Sequence, residues 1–372
     1  MKKVLFVSHT SNFVKFNLPY MAWFRQQGWS VHYASTEEEP LPEGCCDVHY
    51  KVRIERSPYS FNNIKAYFHL KKILQEERYD IIHCHTPMGG VVARLAARKY
   101  RKQGTRVIYT VHGFHFFQGA PRFNWLVFYP VEKWLARYTD CLITMNQEDY
   151  QIAVEKNFRA RQIVRIDGVG VNTQRFYGAT IEEKNALRLK FGFPLEAFCL
   201  IYIAEFIPRK NHAFLLEAIS ELQKRIPNLA VILAGTGDLL DCMKQKADAL
   251  GIHQVVRFVG YSSKVDEFCR LADVMVSTSN QEGLPISLIE GMASGLPIVS
   301  SKIRGSVDLI TEGRNGFLYN IGDQKALIDS VEKLYKNPSL RGQLGKNNVL
   351  DVAMFSVDHA VEEMAKIYQE YM

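Results

Sequence analysis

Short apolar runs alternate with longer amphipathic segments along almost the whole chain, and this alternation limits the folds that are open to it. Parallel strands must be joined by crossover segments, usually helices, so the pattern predicts parallel sheets in an α/β fold. The runs form two sets on either side of residues 168–176, and 372 residues suffice for two domains with separate cores. The expected strands are, in the first set, Val4–Ser8, Val31–Ser35, Ile81–His85, Val107–Val111, Leu142–Met145 and Ile163–Ile166, and, in the second, Phe198–Ala204, Leu229–Ala234, Val256–Gly260, Val274–Ser279 and Pro297–Ser301.

Three histidines of the first set, His9, His85 and His112, lie at the ends of expected strands. Ligands of parallel sheets bind at the carboxyl ends of the strands, so these side chains predict a site. His83 and His85 point to the same face of one strand, but a metal site would need a third ligand at a usable spacing, and we find none. We therefore expect His85 to form hydrogen bonds in the site and His83 to belong to its wall or to the core.

The turn after the first strand carries the polar residues Ser8, Thr10 and Asn12. Two interpretations are equally open. The side chains either face an acceptor substrate, or they form the turn and cap the helix that follows it.

Two glutamates mark the stretch from residue 281 to residue 300. Glu282 falls in the loop after an expected strand, and Glu290 falls on a helix whose first turn suits Pro285. The mostly helical path between the carboxylates spans about 10 Å, which is too far for them to share a proton. The spacing matches the two ends of a sugar nucleotide, with the helix N-terminus facing the diphosphate. Two solvated glutamates are the alternative, but a solvated loop has no need of the Gly-Leu-Pro sequence after Glu282.

At these residues the chain resembles the family 4 glycosyltransferases, whose E-x7-E signature is carried here by Glu282 and Glu290. The flanking Glu-Gly-Leu-Pro and Ala-Ser-Gly-Leu-Pro-Ile-Val sequences also agree, and the agreement extends from the N-terminus to Phe317. The resemblance implies the GT-B fold, in which two Rossmann-like domains face each other across a cleft. It also implies retaining transfer of a sugar from a nucleotide donor, without a cofactor or an essential metal.

The resemblance implies a division of the chain into an acceptor-binding domain (1–172), a nucleotide-sugar-binding domain (173–355) and a C-terminal helix (356–372) that crosses back to the first domain. Within the first domain it places His112 beside the donor sugar and the reacting centre.

Roles for single residues of the second domain follow from the same resemblance. Glu290 would bind the ribose and Glu282 the sugar. Lys210 stands where the family has a lysine that binds the donor diphosphate, whereas Glu205 replaces the family's arginine and Arg209 is a new neighbouring cation. We expect His112, Glu282 and Lys210 to act in catalysis. The other residues expected at the donor are Gly235, Gly237, Tyr261, Gly283, Leu284 and Pro285.

The charge of the chain is unevenly distributed. Residues 1–172 carry a net charge of +9 and residues 173–372 a net charge of −2. The basic half lacks a nucleic-acid recognition signature, so an anionic membrane surface or a lipid diphosphate is the better partner. Seven scattered cysteines without C-x-x-C spacing indicate a reducing cytoplasm, and no apolar run is long enough to span a membrane. We expect a cytoplasmic protein that associates peripherally with the inner face of the plasma membrane.

The segment Phe114–Tyr138 combines nine aromatic residues with three cations, Arg122, Lys133 and Arg137, and Pro130 should kink or divide any helix in it. It fits a membrane interface, with aromatic rings at headgroup depth, and fits an aromatic core helix equally well. The exposure of Phe117 and Trp125 would decide between the two. Relatives that resemble this stretch assemble exopolysaccharide or capsule repeat units on a lipid carrier.

The sequence therefore predicts a retaining glycosyltransferase that moves a sugar, most simply a UDP-linked hexose or N-acetylhexosamine, to a glycan acceptor on a lipid diphosphate in bacterial surface polysaccharide synthesis. Two alternatives remain open. A GT-B epimerase would turn over a sugar nucleotide without an acceptor, and a sugar-binding protein would not turn it over at all.

Overall fold

The computed structural model describes residues 1–372, and its internal contacts divide the chain into two units. Unit 1 comprises residues 1–170 together with 357–372, and unit 2 comprises residues 171–356. Each unit contains one wholly parallel sheet with helical crossovers, which confirms the predicted α/β class. None of the helices has the length and apolar character that a membrane-spanning helix requires.

Unit 1 is built on a seven-stranded sheet. Its strands are β1 Lys3–Val7, β2 Ser30–Ser35, β3 Val48–Lys51, β4 Ile81–His85, β5 Arg106–Val111, β6 Cys141–Thr144 and β7 Gln162–Arg165, in the spatial order β3-β2-β1-β4-β5-β6-β7. Its helices are α1 Leu18–Gln26, α2 Asn62–Glu76, α3 Pro87–Arg101, α4 Arg122–Leu135, α5 Gln147–Glu155 and, from the end of the chain, α14 Val357–Gln369, with short 3₁₀ helices at Ser11–Phe16 and Ala136–Tyr138.

Unit 2 is built on a six-stranded sheet. Its strands are β8 Phe198–Ile203, β9 Leu229–Ala234, β10 Val256–Gly260, β11 Val274–Ser277, β12 Ile298–Ser301 and β13 Gly316–Tyr319, in the order β10-β9-β8-β11-β12-β13. Its helices are α6 Ile181–Phe191, α7 His212–Arg225, α8 Leu240–Ala249, α9 Val265–Leu271, α10 Ile286–Ala293, α11 Ser306–Leu309, α12 Gln324–Lys336 and α13 Pro338–Asp351, with 3₁₀ turns at Pro208–Lys210 and Val352–Phe355.

The central strands are mostly apolar because helices cover both faces of each sheet, and the histidines of β4 are the main exception. Strand β8 illustrates this, since Leu200 and Tyr202 belong to one hydrophobic core of unit 2 while Cys199 and Ile201 belong to the core on the opposite face. Two strands, β3 and β13, were not predicted. Both are four-residue edge strands, and the partly exposed pattern of β3 gives no apolar run for a sequence pattern to detect.

Helix α4 runs without a break from Arg122 to Leu135, so of the two effects expected of Pro130, a kink or a division, the division is wrong. A buried ion pair connects this helix to α3. Arg94 is fully buried and donates to Glu132 at 2.8 Å, and its guanidinium lies 3.9 Å from the centre of the Tyr109 ring on β5. The hydroxyl of Tyr109 also donates to Glu132, at 3.3 Å. These contacts hold α3 and α4 on one face of the sheet.

We predict that Arg94→Met lowers the free energy of unfolding of unit 1 by about 3–5 kcal/mol, because it leaves Glu132 buried without its cation. All four tryptophans of the chain lie in unit 1, so tryptophan fluorescence during urea unfolding measures this unit specifically. The double variant Arg94→Met/Glu132→Leu should recover part of the loss. The control Lys72→Met, at an exposed ion pair with Glu76, should change the value by less than about 1 kcal/mol. A double variant as unstable as the sum of the singles would contradict this account.

Candidate active site

The carboxylate of Glu282 lies between two cations at the carboxyl edge of the unit 2 sheet. Glu282 is buried; its Oε1 accepts a hydrogen bond from Lys210 Nζ, and its Oε2 lies 3.4 Å from Arg209 Nη1. Lys210 is largely buried, whereas the side chain of Arg209 is 42% exposed. The structure therefore brings together Lys210 and Glu282, which are 72 positions apart in the sequence and which the sequence analysis predicts to act in catalysis.

The loops after β8 and β11 are joined by hydrogen bonds that fix this cluster. The amide of Asn280 donates to the carbonyl of Arg209 at 2.7 Å, and the hydroxyl of Tyr202 donates to the carbonyl of Lys210 at 2.8 Å. Thr278 Oγ1 also donates to the carbonyl of Lys210, at 3.2 Å. Neighbouring parallel strands end at the same edge, so these contacts follow directly from the order β8-β11.

Arg304, which follows β12, is a member of this cluster that sequence reasoning missed. It is buried, and its Nε donates to the backbone carbonyl of Glu282 at 2.9 Å. The next residue, Gly305, has a φ of +79°, and a Cβ there would lie 2.2 Å from the carbonyl oxygen of Gly283. The available signal was a cation in the loop that follows the predicted strand Pro297–Ser301, three residues after its end. The loop after a third strand, β12, thus contacts the backbone carbonyls of both Glu282 and Gly283.

Helix α10 carries Glu290 and begins at Ile286, with Pro285 at its N-cap. Glu290 is half-buried. Gly291 packs so closely on the sheet that a Cβ would lie 2.5 Å from the sulfur of Met275. This glycine lets α10 lie directly against β11, which places Glu290 one helix turn beyond the loop of Gly283 and Leu284.

The loop after β9 contains Gly235 and Gly237, both with a φ of +147°. A Cβ on Gly235 would lie 2.0 Å from the carbonyl of Ala204, and a Cβ on Gly237 would lie 2.7 Å from the carbonyl of Phe206. Both glycines are therefore needed for packing between the loops after β8 and β9. Glu205, between these two contacts, is exposed, and Tyr261, after β10, is 83% exposed.

In unit 1, His85 and His112 lie together at the ends of β4 and β5. His85 Nδ1 and His112 Nε2 share a hydrogen bond of 3.2 Å, and the ring of Phe13 lies edge-on to His112 at 4.6 Å between centroids. The other ring nitrogen of His85, Nε2, is buried without a partner. His83 belongs to the core, where it shares hydrogen bonds with Tyr368 of α14 and Thr110. Desolvation lowers the pKa of His83 and His112 to about 3 and that of His85 well below its usual range, so all three rings are neutral.

The polar residues after β1 make local contacts. Ser8 is buried and shares a hydrogen bond with Tyr33 at 2.7 Å. Thr10 accepts from the amide of Asn12 at 3.2 Å, as the cap of a 3₁₀ helix, and donates to Glu38 at 2.5 Å. Of the three residues predicted there, Asn12 is the exposed one. The cap interpretation therefore accounts for Thr10.

Thr86, directly after His85, has φ +62° and ψ +149°, a conformation that is almost restricted to glycine. Its Oγ1 donates to the carbonyl of His85 at 2.5 Å and accepts from the amide of His9 at 3.1 Å. Strain of this kind costs on the order of 1–3 kcal/mol and concentrates at functional sites. The strained residue Thr86 lies at the carboxyl ends of β1 and β4.

The aromatic segment divides between core and surface. Phe114 and Phe116 are buried, while Trp125 packs on the core and donates its indole N–H to the carbonyl of Phe117 at 3.3 Å. Neither Trp125 nor Phe117 is exposed, so the core interpretation holds for these two residues. The outer face of α4 is nevertheless apolar and exposed, at Phe123 (56%), Leu126 (76%), Val131 (43%) and Trp134 (41%).

Comparisons with known proteins agree with this arrangement. Residues 183–350 match the family "Glycosyl transferases group 1", and residues 3–146 match the family "Glycosyl transferase 4-like". The chain is 44% identical over 372 residues to EpsD of Bacillus subtilis, which is named as a glycosyltransferase; the match covers 100% of this chain and 97% of EpsD. It is 26% identical to an Escherichia coli protein named as UDP-Gal:alpha-D-GlcNAc-diphosphoundecaprenol alpha-1,3-galactosyltransferase, over 73% of this chain and 70% of that one.

The solved structure of Anabaena HepE in complex with UDP-glucose superposes with a TM-score of 0.82 and covers 100% of both chains, at 17% sequence identity. This likeness shows the fold and confirms the expected GT-B architecture.

The neutral histidines predict that acid destabilises unit 1. Histidines titrate near 6.5 in an unfolded chain, so the unfolded state binds more protons than the folded unit once the pH falls below this value. The neutral histidines contribute fully to the free energy of unfolding above about pH 6.5. The free energy of unfolding should therefore decrease steadily as the pH falls from there toward 3. Urea unfolding followed by tryptophan fluorescence between about pH 7.5 and 4.5 measures the slope.

Replacing a buried histidine with a group that does not titrate should flatten that slope, so His83→Gln should lose less stability between the two pH values than the unmodified chain. His253→Gln, at an exposed histidine of unit 2, is the matched control and should leave the slope unchanged. Equal slopes for His83→Gln and the unmodified chain would show that His83 is not held neutral.

Proposed function

The chain belongs to the group 1, family 4-like glycosyl transferases and has the GT-B fold, and on that premise we propose that it transfers a hexose or N-acetylhexosamine from a UDP-linked donor, with retention, to a lipid-diphosphate-linked glycan during bacterial surface polysaccharide synthesis. The observation that carries the proposal is the buried Glu282 carboxylate between Lys210 and Arg209. The names of the relatives support the choice of substrates, because the E. coli galactosyltransferase is named for a UDP-sugar and a diphosphoundecaprenol acceptor.

The pairing of Glu282 suggests how the donor enters unit 2. A diphosphate carries two negative charges and binds cations through charge-assisted hydrogen bonds. When it approaches Lys210 and Arg209, it replaces Glu282 as their partner, and the carboxylate becomes available to accept hydrogen bonds from sugar hydroxyls. The cations are then already in place for the charge that develops on the departing UDP. Glu290, on α10, is the expected partner of the ribose hydroxyls.

The proposed transfer needs no enzyme nucleophile. Glu282 is assigned to the sugar hydroxyls once the diphosphate has taken its place at Lys210 and Arg209, and no other carboxylate is assigned to the anomeric carbon. We propose a front-face reaction in which the acceptor hydroxyl attacks the anomeric carbon from the side of the leaving UDP. The acceptor proton passes to the departing phosphate oxygen. Neutral His112 then acts as a hydrogen-bonding group beside the sugar, and the acceptor is bound by unit 1 near His85 and Asn12.

We predict that the purified chain transfers sugar from a UDP-hexose to a lipid-diphosphate-linked glycan, and that the activity persists in excess chelator because Lys210 and Arg209 take the place of a metal at the diphosphate. Lys210→Met should weaken UDP binding by tenfold or more, since a charge-assisted hydrogen bond contributes roughly 1.5–3 kcal/mol. Lys224→Met, at an exposed lysine of α7, is the control and should leave UDP affinity unchanged. Calorimetry measures affinity, and chromatography of the glycan measures transfer.

The same assay separates the alternatives. An epimer of the donor sugar formed without acceptor would favour an epimerase, and binding without turnover would favour a sugar-binding protein. Loss of transfer in chelator, restored by Mg²⁺ or Mn²⁺, would overturn the metal-free assignment. Unchanged UDP affinity in Lys210→Met would remove this lysine from the donor site.

We also propose peripheral contact between the outer face of α4 and an anionic membrane. Phe123 and Leu126 are exposed apolar side chains of this face. The basic residues Arg122 and Lys133 lie on the same helix, and Arg137 lies in the 3₁₀ helix that follows it. Each cation near an anionic leaflet contributes about 1 kcal/mol, so a few cations with two or three inserted apolar side chains give reversible binding. A lipid-linked acceptor presents its sugar at the headgroup plane, which is where such a contact would hold unit 1.

We predict that vesicles containing anionic lipid sediment the chain at low salt and release it at high salt, and that Leu126→Ser weakens this binding. Leu189→Ser, at a comparably exposed leucine (67%) of unit 2, is the matched control. Phe61, which is 82% exposed next to α2, belongs to a second apolar surface, and this surface is the alternative site of vesicle contact. Loss of binding in Phe61→Ser but not in Leu126→Ser would move the contact to α2, and equal sedimentation with neutral vesicles would remove the electrostatic contribution.

A further inference from the structure

Unit 2 contains a cavity of about 620 Å³ at the edge of its sheet opposite to Glu282. The cavity lies where strands begin: Phe198 opens β8, Asp273 precedes β11 and Pro297 precedes β12. Arg209, Lys210 and Glu282 instead follow the ends of β8 and β11. Because every strand of this sheet is parallel, the two places are at opposite ends of the same strands, and the cavity is separate from the proposed donor site.

The wall of the cavity has an excess of positive charge. It contains five cations, Lys184, Arg188, Arg270, Arg341 and Lys346, and two carboxylates, Glu196 and Asp273. The buried carboxylate is fully engaged: Asp273 Oδ1 accepts from Lys184 at 2.6 Å, and Oδ2 accepts from Arg188 at 2.7 Å and from the amide of Cys199 at 2.8 Å.

Two cations of α13 have no carboxylate partner. Arg341 donates to the carbonyl of Leu334 at 2.9 Å and lies over the ring of Phe198, 5.3 Å from its centroid. Lys346 extends from an exposed position of the same helix and forms no ion pair. Arg270 is neutralised by Asp266 at 2.9 Å. The cavity therefore offers at least two cations, on one helix, to an incoming anion.

The titration of Lys184 agrees with this excess of charge. Burial lowers the pKa of Lys184, and Arg188 and Arg341 lower it further, although Asp273 acts in the opposite direction. Cations placed this close together and partly withdrawn from water favour the uptake of an anion.

We propose that this cavity binds a phosphate-bearing small molecule of the size of a sugar phosphate or nucleotide. Its volume falls within the range of roughly 300–1,000 Å³ that is typical of small-molecule sites. Arginine and lysine together suit a phosphate group, the arginine through paired N–H donors and the lysine as a point charge. Leu296 and Tyr335 provide apolar wall for the carbon skeleton. The helices of the wall approach closely at Gly345, where a Cβ would lie 2.1 Å from the carbonyl of Gly295.

The test uses the full-length chain with Lys210→Met as the background, because this change removes the main diphosphate cation of the donor site. Glucose 6-phosphate and inorganic pyrophosphate are titrated separately by calorimetry at low salt. We expect one molecule bound per chain, and we expect Lys346→Glu to weaken that binding on the order of tenfold by reversing one wall charge. Lys346 is exposed, so this variant should fold normally, and Arg341→Gln should weaken the same binding.

The matched control is Lys325→Glu, the same charge reversal at a lysine of α12 that is 85% exposed and outside the cavity. It should change affinity by less than about twofold. No binding of either probe up to about 10 mM would overturn the proposal, and so would equal weakening by Lys325→Glu and Lys346→Glu, which would indicate general attraction to a basic surface. Sugar transfer by the unmodified chain is measured separately, so that failure of this site and failure of the proposed function can be told apart.

Discussion

The parallel direction of every strand is the constraint on which the chemistry of this chain depends. In a parallel sheet, each crossover returns the chain to the same starting edge, so all the loops that follow strands collect at the other edge. In unit 2 this brings Lys210, Glu282 and Arg304 together, although they follow three different strands. In unit 1 it brings His85 beside His112. The same rule puts the beginnings of the strands at the opposite edge, where the basic cavity of unit 2 lies.

The pairing of Glu282 with Lys210 withdraws two charges partly from water, so its stability depends on the geometry that the surrounding groups impose. Two charges leave water at a large cost, which their mutual attraction offsets only in good geometry. Here the backbone provides that geometry, since the carbonyls of both Arg209 and Lys210 accept hydrogen bonds from the neighbouring loop and Arg304 holds the carbonyl of Glu282. The side chains are thus positioned before any ligand arrives, which reduces the ordering cost of binding.

The sequence was sufficient to identify the cluster residues whose expected role follows from their position along the chain. Glu282, Lys210 and Arg209 could be found because each carries a charge in the loop that follows an expected strand, and Glu282 and Lys210 also match the family pattern. Arg304 satisfies the same rule and was overlooked because it has no counterpart in the E-x7-E pattern. The sequence allows two roles for Thr10, a helix cap or a substrate contact, because a turn and a substrate contact use the same polar residue types.

Other features depend on contacts that no local pattern encodes. Trp125 and Leu126 are neighbours in an aromatic segment, yet one packs on the core and the other is exposed. Which face of α4 turns inward depends on contacts with other elements, among them the pairing of Arg94 with Glu132. The unusual conformation of Thr86 likewise arises from the approach of β1 to β4, through the amide of His9. Strain at Thr86 is maintained by the structure around it, and a threonine kept at a position that suits glycine also limits the motion of the backbone next to His85. That restriction acts at the end of β4, directly beside the residue that shares a hydrogen bond with His112 on the neighbouring strand.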